Sequence, residues 1–319
     1  MTQAPAHRSP ALGALYALAG AALFGINGSM SKVVMAAGIT PEQLTLARVL
    51  GTVLIAGTVL LATDREQFRL TRREVAAFAA LGVGGLAMIQ WLYSVAISRL
   101  PVGVALLFEY TAVVLVALAA LVLFRERVHR RLWWAIAGVL LGLAVVAQVW
   151  DSHLDGLGVL AGLGAAVAYA FYFLAGERSV ASRPPMAVAF WAAVFASGFW
   201  AIFSGWWRLD PALLTERISM EGALADMVLP LWAPLIWIVA LGGFAPFVLI
   251  FMSLRHVNAT AAGILASSEV LFAFLVAWLW LGETLDVVQL AGAAVVLVGI
   301  VVAQTAREAR TPEVPAEVP

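Results

Sequence analysis

The sequence predicts an all-α membrane protein whose ten transmembrane helices form two inverted five-helix repeats. Three observations carry that expectation. Ten long apolar stretches, separated by short polar breaks, fill almost the whole chain. Among the Asp, Glu, Lys and Arg residues, only Lys32, Arg48, Glu109 and Glu269 fall inside those stretches. Related motifs recur in the two halves, and each half holds an odd number of stretches. Runs of about twenty apolar residues match the ~30 Å hydrocarbon core of a bilayer, and a soluble fold has no interior large enough for so many.

The spans follow in order. Ala11–Ala37 follows His7 and Arg8 as a secretory signal would, but it exceeds the usual h-region and reads as an uncleaved first span. Leu44–Leu61 opens just after Pro41, Val75–Ser98 follows an arginine-rich turn, and Pro101–Phe124 begins on its own proline. Leu132–Val149 and Gly156–Gly176 flank the middle of the chain, and Met186–Trp207 starts after the Pro184–Pro185 pair. Met227–Leu254, Val257–Leu281 and Val287–Thr305 complete the set. A proline in the first turn of a helix sacrifices no hydrogen bond, so these prolines mark beginnings. Each span is helical because the bilayer core holds no water to satisfy an open backbone. Residues 1–10 form a short tail, and residues 306–319, rich in Pro, Glu and Val, form a second tail expected to be disordered.

Composition removes several function classes. The chain is 63% hydrophobic and 12% charged with a formal net charge of zero, which leaves no basic field for nucleic acid. It has no cysteine, so thiolate, disulfide and cysteine-metal chemistry are absent. His7, His129, His153 and His256 all sit in tails or loops without paired ligand spacing, and no Walker A sequence occurs. No catalytic residue, metal or cofactor is therefore expected, and an embedded enzyme is the weaker reading. A channel is weaker still, because no ring of like charge or filter-like loop is visible.

Arginine placement predicts orientation. With a cytoplasmic N-terminus, the inner segments carry Arg8, Arg65, Arg69, Arg72, Arg73, Arg125, Arg127, Arg130, Arg131, Arg178, Arg183, Arg255, Arg307 and Arg310. The outer segments carry only Arg99, Arg208 and Arg217. Under the positive-inside rule both termini face the cytoplasm. Trp150, Trp206, Trp207, Trp278 and Trp280 then gather at the outer boundary, with Trp133 and Trp134 at the inner one, as an aromatic belt.

The halves, 11–150 and 156–305, repeat each other. Leu81-Gly-Val-Gly-Gly-Leu-Ala87 resembles Val239-Ala-Leu-Gly-Gly-Phe-Ala245, each inside the third span of its half. Arg125-Glu126 with Gly142 parallels Gly282-Glu283 with Gly299 at the same Glu-to-Gly spacing. Five spans per half turn the second copy upside down, the inverted-repeat pattern of alternating-access transporters.

Further motifs bring in a family. Ala266-Ser-Ser-Glu-Val-Leu-Phe leads to Leu281-Gly-Glu283, Gln289-Leu-Ala-Gly292 and Gly299, and its first-half counterpart runs from Leu107-Phe-Glu-Tyr-Thr to Arg125-Glu126. In their order and spacing these resemble the ten-helix branch of the drug/metabolite transporter superfamily, with two EamA-like repeats over essentially the whole chain. One departure stands out: where many relatives carry a proline after the position of Glu269 and at its first-half match, this chain has Val270 and Val113. The resemblance implies a secondary carrier of a bacterial-type inner membrane that exports amino acids, other small metabolites or drugs. An uncoupled carrier or exchanger of the same fold is the alternative, and a non-transporting structural or regulatory membrane protein is a further one. The partners implied are a small-molecule substrate, the lipid bilayer, and a proton or counter-solute.

The embedded polar residues are the candidate site. At ~1.5 Å of rise per residue, Glu109 lies about 12 Å below the outer end and Arg48 some 6–9 Å below it, with Asn27 and Gln90 at similar levels. A carboxylate in hydrocarbon is costly, so these groups face one another or a wet cavity. Glu109 and Arg48 are expected either to flank a substrate pocket walled by Asn27 and Gln90, or to form a structural ion pair between spans two and four. Glu269, near the midplane at ~16 Å, has no embedded cation in its half. A carboxyl so placed costs least as the neutral acid, which makes it the leading proton carrier ahead of Glu109, or an acceptor for a substrate amine beside Ser267 and Ser268. The other reading is a permanently protonated core residue. Tyr110 is counted with the substrate-binding set; Tyr169 and Tyr172 line a pocket or simply pack. Lys32 is expected to snorkel to the interface, and Glu126 and Glu283 to cap the helices that follow them. Gly84, Gly85, Gly242, Gly243 and Pro246 are the hinge candidates, since paired Gly/Pro breaks in the two halves point to a transporter's binding region. Gly138 and Gly142 are read as helix-packing residues.

Overall fold

The structure is a computed structural model and describes residues 9–112, 114–116, 119, 130–146, 154–180, 182–253, 256, 265–266 and 268–307. The far tails, the Arg125-Glu126 pair, Val113, His7, His129, His153, Trp150, Arg255 and Ser267 lie outside these residues.

Local capping chemistry starts the first three helices. Helix α1 (Pro10–Ala36) opens where the Ser9 side chain accepts from the Leu12 N–H, and it ends before Gly38 at φ +106°. In α2 (Pro41–Thr63) the Thr40 and Gln43 side chains each bond the other's backbone N–H, so two orphan donors of the first turn are satisfied. Helix α3 (Arg72–Ile97) repeats the device with Thr71 and Glu74. Arg183, just before α7, then donates to Glu74 Oε1 at 2.7 Å and to the Arg69 carbonyl at 2.7 Å, tying the α2–α3 turn to the second half. Helix α4 (Val102–Tyr110) follows Pro101, and α5 (Arg130–Val146), α6 (Gly156–Val180) and α7 (Pro185–Phe203) follow in turn.

The stretch between α7 and α8 is more ordered than the sequence suggests. Strands β1 (Arg217–Ser219) and β2 (Val228–Pro230) pair antiparallel, with Ile218 opposite Leu229. The span expected from Met227 therefore begins at Trp232, because Val228–Pro230 is spent on the ladder. Trp280 also departs from expectation. It is buried and its indole N–H donates to the Met220 carbonyl at 2.8 Å, so it anchors the hairpin instead of joining an aromatic belt. Trp206, Trp207 and Trp278 stay exposed, as do Trp133 and Trp134.

Helix α8 runs through Trp232–Trp237, a π-helical turn at Ile238–Phe244, and Ala245–Ser253. Helix α9 (Glu269–Val276) passes into a π turn at Ala277–Leu281 that ends on Gly282 at φ +70°. Helix α10 (Val287–Arg307) is opened by Asp286, whose carboxylate accepts from the Gln289 N–H at 2.7 Å, and it runs two residues past the expected end of its span. Glu283 therefore does not cap it.

The interruptions match between halves. In α3 the π turn Leu81–Ala87 covers the first glycine motif, and in α8 the π turn Ile238–Phe244 overlies its repeat. The same interval in sequence separates Thr111 from Ser268. Each of these hydroxyls donates to the carbonyl three residues back, Thr111 to Phe108 at 2.6 Å and Ser268 to Leu265 at 2.5 Å, and each helix breaks into a turn there. Both breaks occur without a proline, each at a hydroxyl that competes for a helical carbonyl.

Packing is reciprocal. The π turn of α3 lies on α6 and α7, where a Cβ on Gly85 would stand 3.0 Å from the Tyr172 ring. The π turn of α8 lies on α1 and α2, where a Cβ on Gly242 would collide with the Asn27 side chain. Helix α4 meets α9, and α5 crosses α10 at Gly142, whose Cβ position is 2.8 Å from the Gly292 carbonyl. Gly138 meets nothing within 4 Å, so only Gly142 of that pair is a packing residue. The main apolar core joins both halves through Ile97, Leu107, Val139, Val270, Val296 and Ile300. Leu54, Leu141, Leu160 and Val298 instead point outward, an apolar exterior suited to lipid. Among the described residues, six helices are long and apolar enough to cross a membrane, and four shorter apolar helices accompany them.

Candidate functional site

Arg48 stands on α2 with 5% of its surface exposed, and two other helices of the first half converge on its guanidinium. Nη2 donates to Asn27 Oδ1 at 3.4 Å and to Ser31 Oγ, both on α1, and Nη1 donates to Ser94 Oγ on α3 at 3.4 Å. The serines are held in turn: Ser31 donates to the Asn27 carbonyl at 2.5 Å, and Ser94 to the Gln90 carbonyl at 2.7 Å. All of these acceptors are neutral. The ion pairs among the described residues are Lys32–Glu283, Arg99–Asp155 and Arg183–Glu74, so Arg48 has no carboxylate within bonding range. A buried cation without an anion is expensive, and such arrangements persist where function needs them.

Polar atoms without partners cluster at the same place. Arg48 Nε, Gln90 Oε1 and Tyr93 Oη are buried and make no hydrogen bond. Ser29, Ser197, Trp200, Ser204 and Ser253 also hold buried atoms without a partner, but those of Arg48 and Tyr93 stand beside a buried charge, where an unmet hydrogen bond costs most, and mark a site prepared for something else.

The acidic side comes from α4 and α9. Glu109 is 8% exposed, its carboxylate makes no hydrogen bond or ion pair among the described residues, and it lies close enough to feel the charges of both Arg48 and Glu269. Its neighbour Tyr110 donates to Glu269 Oε2 at 2.8 Å, linking the halves across the core. Tyr169 of α6 adds a ring within electrostatic reach of both carboxylates. The structure thus brings Asn27, Arg48, Gln90, Glu109, Tyr110 and Glu269 together between the halves. Ser268 is adjacent, but its hydroxyl proton is committed to the Leu265 carbonyl.

Of the hinge candidates, Gly84 and Gly85 lie in the π turn against Phe171 and Tyr172, and Gly242 seats Asn27. A Cβ on Gly243 would make only an ordinary contact with the Ile238 carbonyl at 3.5 Å, and Pro246 opposes Gly20 with its carbonyl. Ser31, Ser94, Tyr93 and Thr111 were missed from sequence. Ser31 is four residues after Asn27 and Ser94 four after Gln90, so helical spacing alone puts each on the face of a residue already singled out.

Lys32 has fixed partners that the snorkelling expectation did not include. Its ammonium, on a side chain 32% exposed, pairs with Glu283 and donates to the Leu100 carbonyl at 3.3 Å. Glu283 in turn accepts from the Val102 N–H at 2.8 Å, so it caps α4 of the other half. An unpaired ammonium there would forgo both an anion and a carbonyl within reach.

Known proteins match along the whole chain. The EamA-like transporter family matches residues 11–148 and 156–305. The threonine/homoserine exporter RhtA of Escherichia coli K12 is 28% identical over 264 residues, which cover 82% of this chain and 79% of that protein. An uncharacterized transporter of Archaeoglobus fulgidus is 29% identical over 226 residues, covering 69% of this chain and 74% of its own length. A solved crystal structure superposes with a TM-score of 0.61 at 17% identity, covering 94% of this chain and 98% of that one, which speaks for the fold alone.

Proposed function

This chain belongs to the EamA-like transporter family and is a multi-pass membrane transporter of a small molecule; on that premise we propose that it is a secondary active exporter of small amino acids, working by alternating access. The observation that carries the reading is the site between the halves, where one buried cation and two carboxylates come from helices that dock reciprocally. RhtA is named an exporter of threonine and homoserine, and solutes of that size and double charge suit such a site.

Ten helices cross the inner membrane in two five-helix halves, 11–150 and 156–305, with both termini in the cytoplasm. The reciprocal contacts support inversion: α1 meets α8 and α9 as α6 meets α3 and α4, and an odd number of spans per half turns one copy over. The π turns of α3 and α8, with Gly84, Gly85, Gly242, Gly243 and Pro246, are the hinges on which the halves rock. Glu269 carries the coupling proton, with Glu109 second to it, while Asn27, Arg48, Gln90, Tyr110 and Ser268 complete the substrate site.

The test is counterflow in proteoliposomes loaded with unlabelled threonine or homoserine. Saturable uptake of labelled solute, driven further by an imposed proton gradient, is the expected result. Flux that rises linearly with concentration, or none at all for any amino acid, would overturn the reading.

A further inference from the structure

We propose that the site reads its substrate as a zwitterion of fixed polarity, with the carboxylate on Arg48 and Tyr93 of the first half and the ammonium on Glu109. This rests on the transport of amino acids proposed above and assigns each end of the substrate to named groups.

Two sets of unsatisfied atoms of opposite sense carry the inference. On one side are donors without acceptors, Arg48 Nε and Tyr93 Oη, buried beside a guanidinium whose other partners are all uncharged. On the other is an acceptor without a bonded donor, the Glu109 carboxylate. Arg48, Glu109 and Tyr93 act on one another electrostatically, yet Arg48 and Glu109 do not touch. A pure anion would leave Glu109 uncompensated, and a pure amine would leave Arg48 so. One molecule carrying both charges a few bonds apart neutralises the pair at once, and charge-assisted hydrogen bonds in a dry site are the strong ones. Glu269 is less suited to the ammonium, because one of its oxygens already accepts from Tyr110.

The rival is a closed structural cluster in which Asn27, Ser31 and Ser94 simply hold Arg48. It accounts for the bonded atoms. It leaves the unpartnered Arg48 Nε and Tyr93 Oη and the unbonded Glu109 carboxylate within electrostatic reach of one another without a reason, where a buried charge makes an unmet hydrogen bond most costly.

The test uses three solutes with one side chain: threonine, the amino alcohol in which its carboxylate is reduced to a hydroxymethyl group, and the 2-hydroxy acid in which its ammonium is replaced by hydroxyl. Counterflow competition ranks them on the full-length protein in liposomes. The wild type prefers threonine to either analogue by about tenfold or more, the worth of a hydrogen bond to a charged group. Arg48→Gln collapses the preference over the amino alcohol, and Glu109→Gln collapses the preference over the hydroxy acid. Because Arg48→Gln removes a buried group that three side chains contact, Tyr93→Phe is the second arm. It deletes an orphan hydroxyl, breaks no hydrogen bond within the protein, and shifts selectivity in the same direction as Arg48→Gln by a smaller factor. Equal shifts for all three solutes in Tyr93→Phe and Glu109→Gln would overturn the polarity while leaving amino-acid transport standing. A wild type that carries none of the three would overturn both.

Discussion

At the residue scale, the chemistry turns on three charged groups with unequal surroundings. Arg48 is surrounded by neutral oxygens, Glu109 has no bonded partner among the described residues, and Glu269 is held by one tyrosine hydroxyl. Glu269 is therefore the carboxyl that has a donor when charged and can still be neutral in apolar surroundings, which suits a group that cycles between acid and carboxylate. Glu269→Gln, which keeps the shape but not the titration, is expected to abolish the dependence of uptake on external pH while leaving exchange at one fixed pH measurable. A pH profile of counterflow checks this, and a profile identical to wild type would remove Glu269 from the coupling path. These residues were visible in the sequence as charges and amides in apolar runs. Their partners were not, because Ser31, Ser94 and Tyr93 are ordinary residues for a helix until a guanidinium is placed among them.

At the element scale, helix breaks and helix crossings divide the glycines into distinct roles. Gly142 and Gly138 share one helix and one spacing motif, yet a Cβ at Gly142 would press on the Gly292 carbonyl at 2.8 Å and on Val296, whereas one at Gly138 meets nothing. Gly142→Ala should lower stability in detergent by about 1–3 kcal/mol through overpacking at the α5–α10 crossing. Gly138→Ala should leave it unchanged or raise it by about 0.5–1 kcal/mol through helix propensity. Paired thermal melts of the two variants decide the point, and equal losses would refute the assignment. The glycine motifs of α3 and α8 were legible as breaks, but their form was not. A π turn depends on which neighbour each side chain meets, and those neighbours, Tyr172 for one and Asn27 for the other, lie far away in sequence.

Across the whole molecule, one carboxylate joins the halves at the end that holds Pro101 and Gly282. Glu283 pairs with Lys32 of α1 and caps α4 through the Val102 N–H, with 15% of its side chain exposed. Glu283→Gln should cost about 1–2 kcal/mol, the sum of a weakened cap and a lost, partly screened ion pair. Lys32→Met should cost less than this, because it spares the cap. A double-mutant cycle read by thermal unfolding checks the coupling, and strict additivity of the two changes would show that the ion pair contributes nothing. The sequence by itself determined the membrane class, the two matching halves and the buried charges, because hydrocarbon thickness and the cost of burying charge act on each span independently of its neighbours. Only the tertiary structure decided that Lys32 meets Glu283, that Arg48 is caged by neutral oxygens and left apart from Glu109, and that Tyr110 reaches Glu269 across the halves. Those are contacts between distant segments, and a one-turn change in how two helices slide past each other would exchange every partner without altering a single apolar span.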